Sequence, residues 1–77
     1  MKELIEFIAK SLVDHPDEVE VHESGSGGRV RLELKVNAED MGRVIGKSGR
    51  VANAIRTLLR VSAERDGKQV TLDVLEP

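Results

Sequence analysis

The chain has 77 residues, with 12 basic against 14 acidic side chains, a net charge of −2 and no cysteine. So short a chain makes one domain, residues 1–77, with a modest core, and the missing thiols exclude a disulfide framework or a thiolate-held metal. The slightly acidic balance excludes a protein that coats nucleic acid by bulk charge alone.

From the N-terminus, MKELIEFIAK interrupts its apolar residues with Glu3, Glu6 and Lys10, which is not the pattern of a secretory signal. No apolar run approaches the roughly 20 residues needed to cross a bilayer, so a soluble, cytoplasmic domain is expected. LIEFIAKSLV (4–13) sets Leu4, Ile5, Ile8, Ala9 and Leu12 at the spacing of an amphipathic helix. His15-Pro16 ends it, because proline pushes the residue before it out of helical geometry. His15 and His22 stand apart with no metal-ligand spacing between them, and both are expected as solvated surface residues.

EVEVHE (18–23) and RVRLELKV (29–36) alternate, with Val19 and Val21, then Val30, Leu32, Leu34 and Val36, on one face. That is the period of a half-buried strand, and SGSGG (24–28) between them reads as a flexible hairpin loop. Asn37 is placed to cap a short helix whose first turn suits Asp40 and whose apolar contacts come from Met41, Val44 and Ile45. Gly46 stands where that helix should stop.

A longer helix is expected from about Arg50 to Arg65, with Val51, Ala54, Ile55, Leu58 and Val61 toward the core. Its apolar positions span roughly 200° of arc, whereas a helix lying on a sheet needs only about 100° or somewhat more. The surplus edge, Ala52, Leu59 and Ala63, is read either as covered by the first helix or as a contact for a second copy of the chain. After a turn at Asp66-Gly67, QVTLDV (69–74) alternates through Val70, Leu72 and Val74. The order α-β-β-α-α-β predicts an α+β domain, a three-stranded sheet with three helices on one face and solvent on the other.

The chemistry concentrates in RVIGKSGRVANAIR (43–56). Residues 43 to 60 hold Arg43, Lys47, Arg50, Arg56 and Arg60 and no acid, while the remainder sets seven basic residues against all 14 acids, a balance of −7. Four readings of Gly46-Lys47-Ser48-Gly49 compete. A nucleotide P-loop needs a glycine where Met41 stands, with Gly42 off by one, and a strand ahead of it. A helix-turn-helix DNA reader would present Arg50, Asn53, Arg56 and Arg60 to a major groove, yet strands flank this segment. A plain turn without a ligand is the third.

The fourth reading uses most of these residues together. Glycines at both ends of a two-residue tip let the main chain approach a ligand's backbone closely. The start of the long helix favours phosphate. Lys47 adds a point charge, Ser48 a hydroxyl, Arg43 and Arg50 flank the site, and Val44 and Ile45 offer apolar surface for unstacked bases. Arg56 and Arg60 face away from the apolar stripe and are left as groove residues or solvated charges. No base, nucleophile and orienting group form a catalytic set, so a binding module rather than an enzyme is expected, with no cofactor.

VIGKSGRVANAI resembles the VIGxxGxxI signature of KH domains, whose GXXG loop clamps four nucleotides of a single strand. The element order resembles the type II, bacterial arrangement, and the likeness covers essentially the whole chain. A free-standing domain of this length is similar to the small bacterial KhpA group. That resemblance implies a single-stranded RNA-binding protein acting as an RNA chaperone or post-transcriptional regulator. It also implies a KhpB/Jag/EloR-like partner, a role in cell elongation, cell shape and envelope homeostasis, and a place for Gly46, Lys47, Ser48 and Gly49 as the clamp. A homodimer and a KH domain degenerate for RNA and used only for protein contacts stay open beside it.

Overall fold

Alternating apolar residues become strands here, and 3.6-residue periodicity becomes helices, in the expected order. In the computed structural model, which describes residues 1–75, the elements are α1 (Lys2–Leu12), β1 (Glu20–Ser24), β2 (Arg29–Lys35), α2 (Met41–Ile45), α3 (Arg50–Arg65) and β3 (Gln69–Leu75). Single 3₁₀ turns at Pro16–Glu18, Ala38–Asp40 and Lys47–Gly49 join them. Residues 76–77 of the expected domain lie outside the described residues.

The sheet order is β1-β2-β3, with β1 antiparallel to β2 and β2 parallel to β3. The parallel pair is a consequence of topology: β2 reaches β3 only through the α2–α3 crossover, which returns the chain to the same end of the sheet. Registers Val21↔Leu34 and Leu32↔Leu72 put the alternating apolar residues on one face. Ile5 and Ala9 of α1, Val44 of α2, and Ile55 and Leu59 of α3 close over that face in a single core. On the other face Arg31 reaches across to Asp73, 2.8 Å between Nη2 and the carboxylate.

The roll of α3 differs from expectation. Ala52, Ile55, Leu59 and Ala63 point into the core, so the edge read as surplus is buried, while Leu58 is 56 % and Val61 48 % exposed. Ala54 is exposed as well. Small side chains, Ala52 and Ala63, fill part of the buried flank, and Arg56 on the same flank donates its Nε to the Leu72 carbonyl at 3.3 Å. That carbonyl belongs to β3, an edge strand of the sheet. Ala52, Leu59 and Ala63 are therefore unavailable to a second copy.

In α1, Ile5 and Ala9 are buried and Ile8 and Leu12 pack against the same core, while Leu4, expected on that face, stays exposed, as does Phe7. The first strand also starts later than residue 18, because Pro16–Glu18 closes a 3₁₀ turn ahead of it. No helix among the described residues is long and apolar enough to cross a membrane.

Candidate functional site

The loop between α2 and α3 is built by its two glycines, each for its own reason. Gly46 caps α2 by donating its amide to the Gly42 carbonyl at 2.8 Å, then leaves at φ 75°, ψ 172°. That combination belongs to glycine almost alone. A β-carbon there would also stand 2.4 Å from Val51 Cγ2 and 2.9 Å from the Val51 amide nitrogen. Gly49, at φ 76°, ψ 13°, is left-handed too, yet a β-carbon on it would meet nothing closer than Asn53 Nδ2 at 3.8 Å. Gly46 thus packs the turn against α3, and Gly49 keeps its outer surface bare.

Between them Ser48 adopts φ 58°, ψ 25°, the only non-glycine residue with positive φ among the described residues. Left-handed geometry costs an L-residue about 1–2 kcal/mol, and such strain gathers at binding sites. Lys47 and Ser48 are exposed. The Gly49 amide donates to the Gly46 carbonyl and the Arg50 amide to that of Lys47. As the first two residues of their 3₁₀ turn, Lys47 and Ser48 have no acceptor within it for their amides, and the turn and cap bonds of the described residues supply none. The side chains of Lys47, Ser48 and Arg50 likewise make no hydrogen bond or ion pair there. Outward-turned amides in a tight turn, with cationic side chains around them, can hold an anion.

The flanking residues divide. Arg43 and Arg50 are exposed and Ile45 is half-buried, but Val44 has no exposed surface. The expectation that Val44 meets a ligand is corrected: it points from α2 into the core, while the neighbouring Ile45 packs against the same core and keeps part of its surface open. Arg56 and Arg60 lie away from the loop, along a cleft of about 200 Å³ between α3 and the edge of β3, lined also by Val70, Thr71 and Leu72. Arg56 is partly committed, through Leu72 and through Asn53 Oδ1 at 3.3 Å. Arg60 is exposed beside the same strand edge.

The sequence reading missed one cluster. Asp40 heads α2 with only 1 % of its surface exposed, the one buried charge among the described residues. Its carboxylate accepts the Asp14 amide at 3.1 Å, the His15 amide at 3.1 Å and His15 Nδ1 at 2.9 Å. Nothing buried there is left unpaired. The hydrogen bond to Asp40 raises the His15 pKa above its ordinary value. Burial pushes the Asp40 carboxyl up, yet the hydrogen bonds from the Asp14 amide, the His15 ring and the His15 amide outweigh it and leave it lowered. His15 is thus a tie between the end of α1 and the start of α2, rather than a solvated surface residue. The available signal was the spacing of Asp40 and Val44, four apart and so on one helical face.

A family model described as KhpA/KhpB, KH domain, matches residues 2–74. "RNA-binding protein KhpA" of Clostridium perfringens is 52% identical over 75 residues, 97% of this chain and 100% of the relative. The protein of the same name from Clostridium acetobutylicum is 53% identical over equal coverage. That from Aquifex aeolicus is 43% identical over 76 residues, 99% of this chain and 96% of its own. No solved structure matches.

Proposed function

This chain belongs to the KhpA/KhpB KH-domain family, and from that premise we propose that it binds single-stranded RNA through the Gly46–Gly49 turn, without catalysis. The observation that carries the reading is the tip itself: Lys47 and Ser48 stand exposed with uncommitted amides, inside residues 43–60, which hold five basic residues and no acid. An RNA backbone phosphate supplies the anion that such a turn lacks, and Gly49 leaves room for it to approach. Arg50 and Arg43 add charge on either side, and Ile45 offers the apolar surface once also expected of Val44. Bases then run along the α3–β3 cleft, where Arg60 faces the strand edge.

The alternative of a DNA-reading helix pair is less well supported, since α2 has five residues and α3 lies against the sheet rather than standing free. Exclusive use in protein contacts leaves the open tip without a purpose. Binding by one copy is weak in this reading, because the single aromatic, Phe7, is on α1 and no platform supplies the roughly 1–3 kcal/mol that each stacked base brings. A salt titration tests the reading: displacement of three to five phosphate counterions gives a log–log slope of about −2 to −3.5 on single strands. A flat response counts against it.

Weak single sites favour assembly. We assign the free apolar flank of α3, Leu58 and Val61, to a second copy of the chain, in place of the buried Ala52, Leu59 and Ala63. Val61→Asp then weakens self-association by about ten-fold or more, the worth of one apolar contact at an interface core, and leaves the monomer's melting temperature in place. Equal sedimentation of wild type and variant at every concentration refutes this assignment. In the cell the reading makes the protein a cytoplasmic RNA chaperone or post-transcriptional regulator. It works there with a KhpB/Jag/EloR-like partner in cell elongation, cell shape and envelope homeostasis, as the family resemblance implies.

A further inference from the structure

A carboxylate already occupies one arm of the proposed RNA site. Arg43 stands one turn before Gly46, and its Nη2 lies 3.0 Å from Asp14 Oδ2. Asp14 comes from the segment that leaves α1, distant from Arg43 in sequence. It is brought there by the buried carboxylate of Asp40, which holds the Asp14 amide at 3.1 Å and, through the His15 amide and ring, pins the next residue as well. Asp40 itself heads α2, the helix that carries Arg43. The backbone of Asp14 is thus fixed to the element whose arginine its side chain meets.

A guanidinium presents the same fork of donors to carboxylate and to phosphate, so the two compete for it directly. We propose that Asp14 is a built-in competitor for the RNA phosphate at Arg43, a proposal that rests on the RNA-binding reading above. Both partners are more than half exposed, at 55 % and 64 %, so the exchange is readily reversible. Lys47, Ser48 and Arg50 have no such partner among the described residues and engage RNA first. Arg43 joins only where a phosphate is placed well enough to displace Asp14. The pair therefore lowers affinity for any passing polyanion and reserves one contact for a correctly seated strand.

The test is a double-mutant cycle on a labelled oligouridylate, comparing wild type, Asp14→Asn, Arg43→Gln and the double variant at low and moderate salt. Asp14→Asn should tighten binding by about two- to five-fold, the worth of one exposed ion pair. Its salt slope should steepen by up to about 0.7, one further phosphate. In the Arg43→Gln background the gain should vanish. No gain in Asp14→Asn, or the same gain with and without Arg43, overturns the proposal, the second outcome reporting only one negative charge fewer. Asp14→Ser guards against a variant that fails to fold. Lys47→Asp separates the two levels. Should it bind as wild type does, the clamp reading falls and this inference with it. Should it lose RNA while Asp14→Asn stays neutral, only the competitor is wrong.

Discussion

Replacing Lys47 and Ser48 together with aspartate lowers RNA affinity by roughly 10²-fold or more while the protein stays folded. Each charge-assisted contact to a phosphate contributes about 1.5–3 kcal/mol, and the variant both removes contacts and places two anions where the phosphate must lie. The fold tolerates the change for specific reasons. Both positions are exposed. Ser48 occupies left-handed backbone, a conformation in which aspartate is several-fold enriched. Negative charge just ahead of α3 complements the helix dipole by about 0.3–1 kcal/mol. The variant should therefore melt at or slightly above the wild-type temperature yet fail to bind. Unchanged affinity removes the clamp; a collapsed melting temperature makes the tip a structural element instead.

The two motif glycines should respond differently to the same substitution. Gly46→Ala places a residue in glycine-only backbone, at about 1–3 kcal/mol, and drives its β-carbon to 2.4 Å from Val51 Cγ2. Overpacking of that kind adds about 1–3 kcal/mol. Domains of this size have only about 0.05–0.15 kcal/mol per residue in hand. A melting temperature lower by at least about 10 °C is expected, at about 4–8 °C per kcal/mol. Gly49→Ala meets only Asn53 Nδ2 at 3.8 Å, so it costs about 1–2 kcal/mol for its left-handed backbone. That variant remains folded, and its methyl group stands on the face where the ribose-phosphate chain should approach, so its RNA affinity drops by about ten-fold. Equal melting temperatures for the two alanine variants contradict this division of labour.

The contrast shows how far the sequence could be read. Period-two alternation in 29–36 and 69–74 placed Leu32, Leu34 and Leu72 in the core, and Gly46 marked the end of α2, because these signals are local. Strand order was not legible, since parallel pairing of β2 with β3 depends on how the crossover helices pack. Nor was the roll of α3. Both of its flanks are apolar, and only the packed fold shows Ala52 and Ala63 buried and Arg56 reaching the Leu72 carbonyl. Val44 and Ile45 are adjacent, and only the packed helix shows that the first is buried and the second half-open. The Asp14–His15–Asp40 cluster joins residues far apart in the chain; the spacing of Asp40 and Val44 points to a buried carboxylate, but nothing local names its partners.

One titration reaches the central claim without any substitution: the amide chemical shifts of labelled protein followed as single-stranded RNA is added. The Lys47 and Ser48 amides, unpaired in the free protein, should move furthest, with Gly49 and Arg50 beside them and the wet sheet face around His22 and Glu33 still. Large shifts elsewhere with Lys47 and Ser48 unmoved would mean that RNA is held by some other surface.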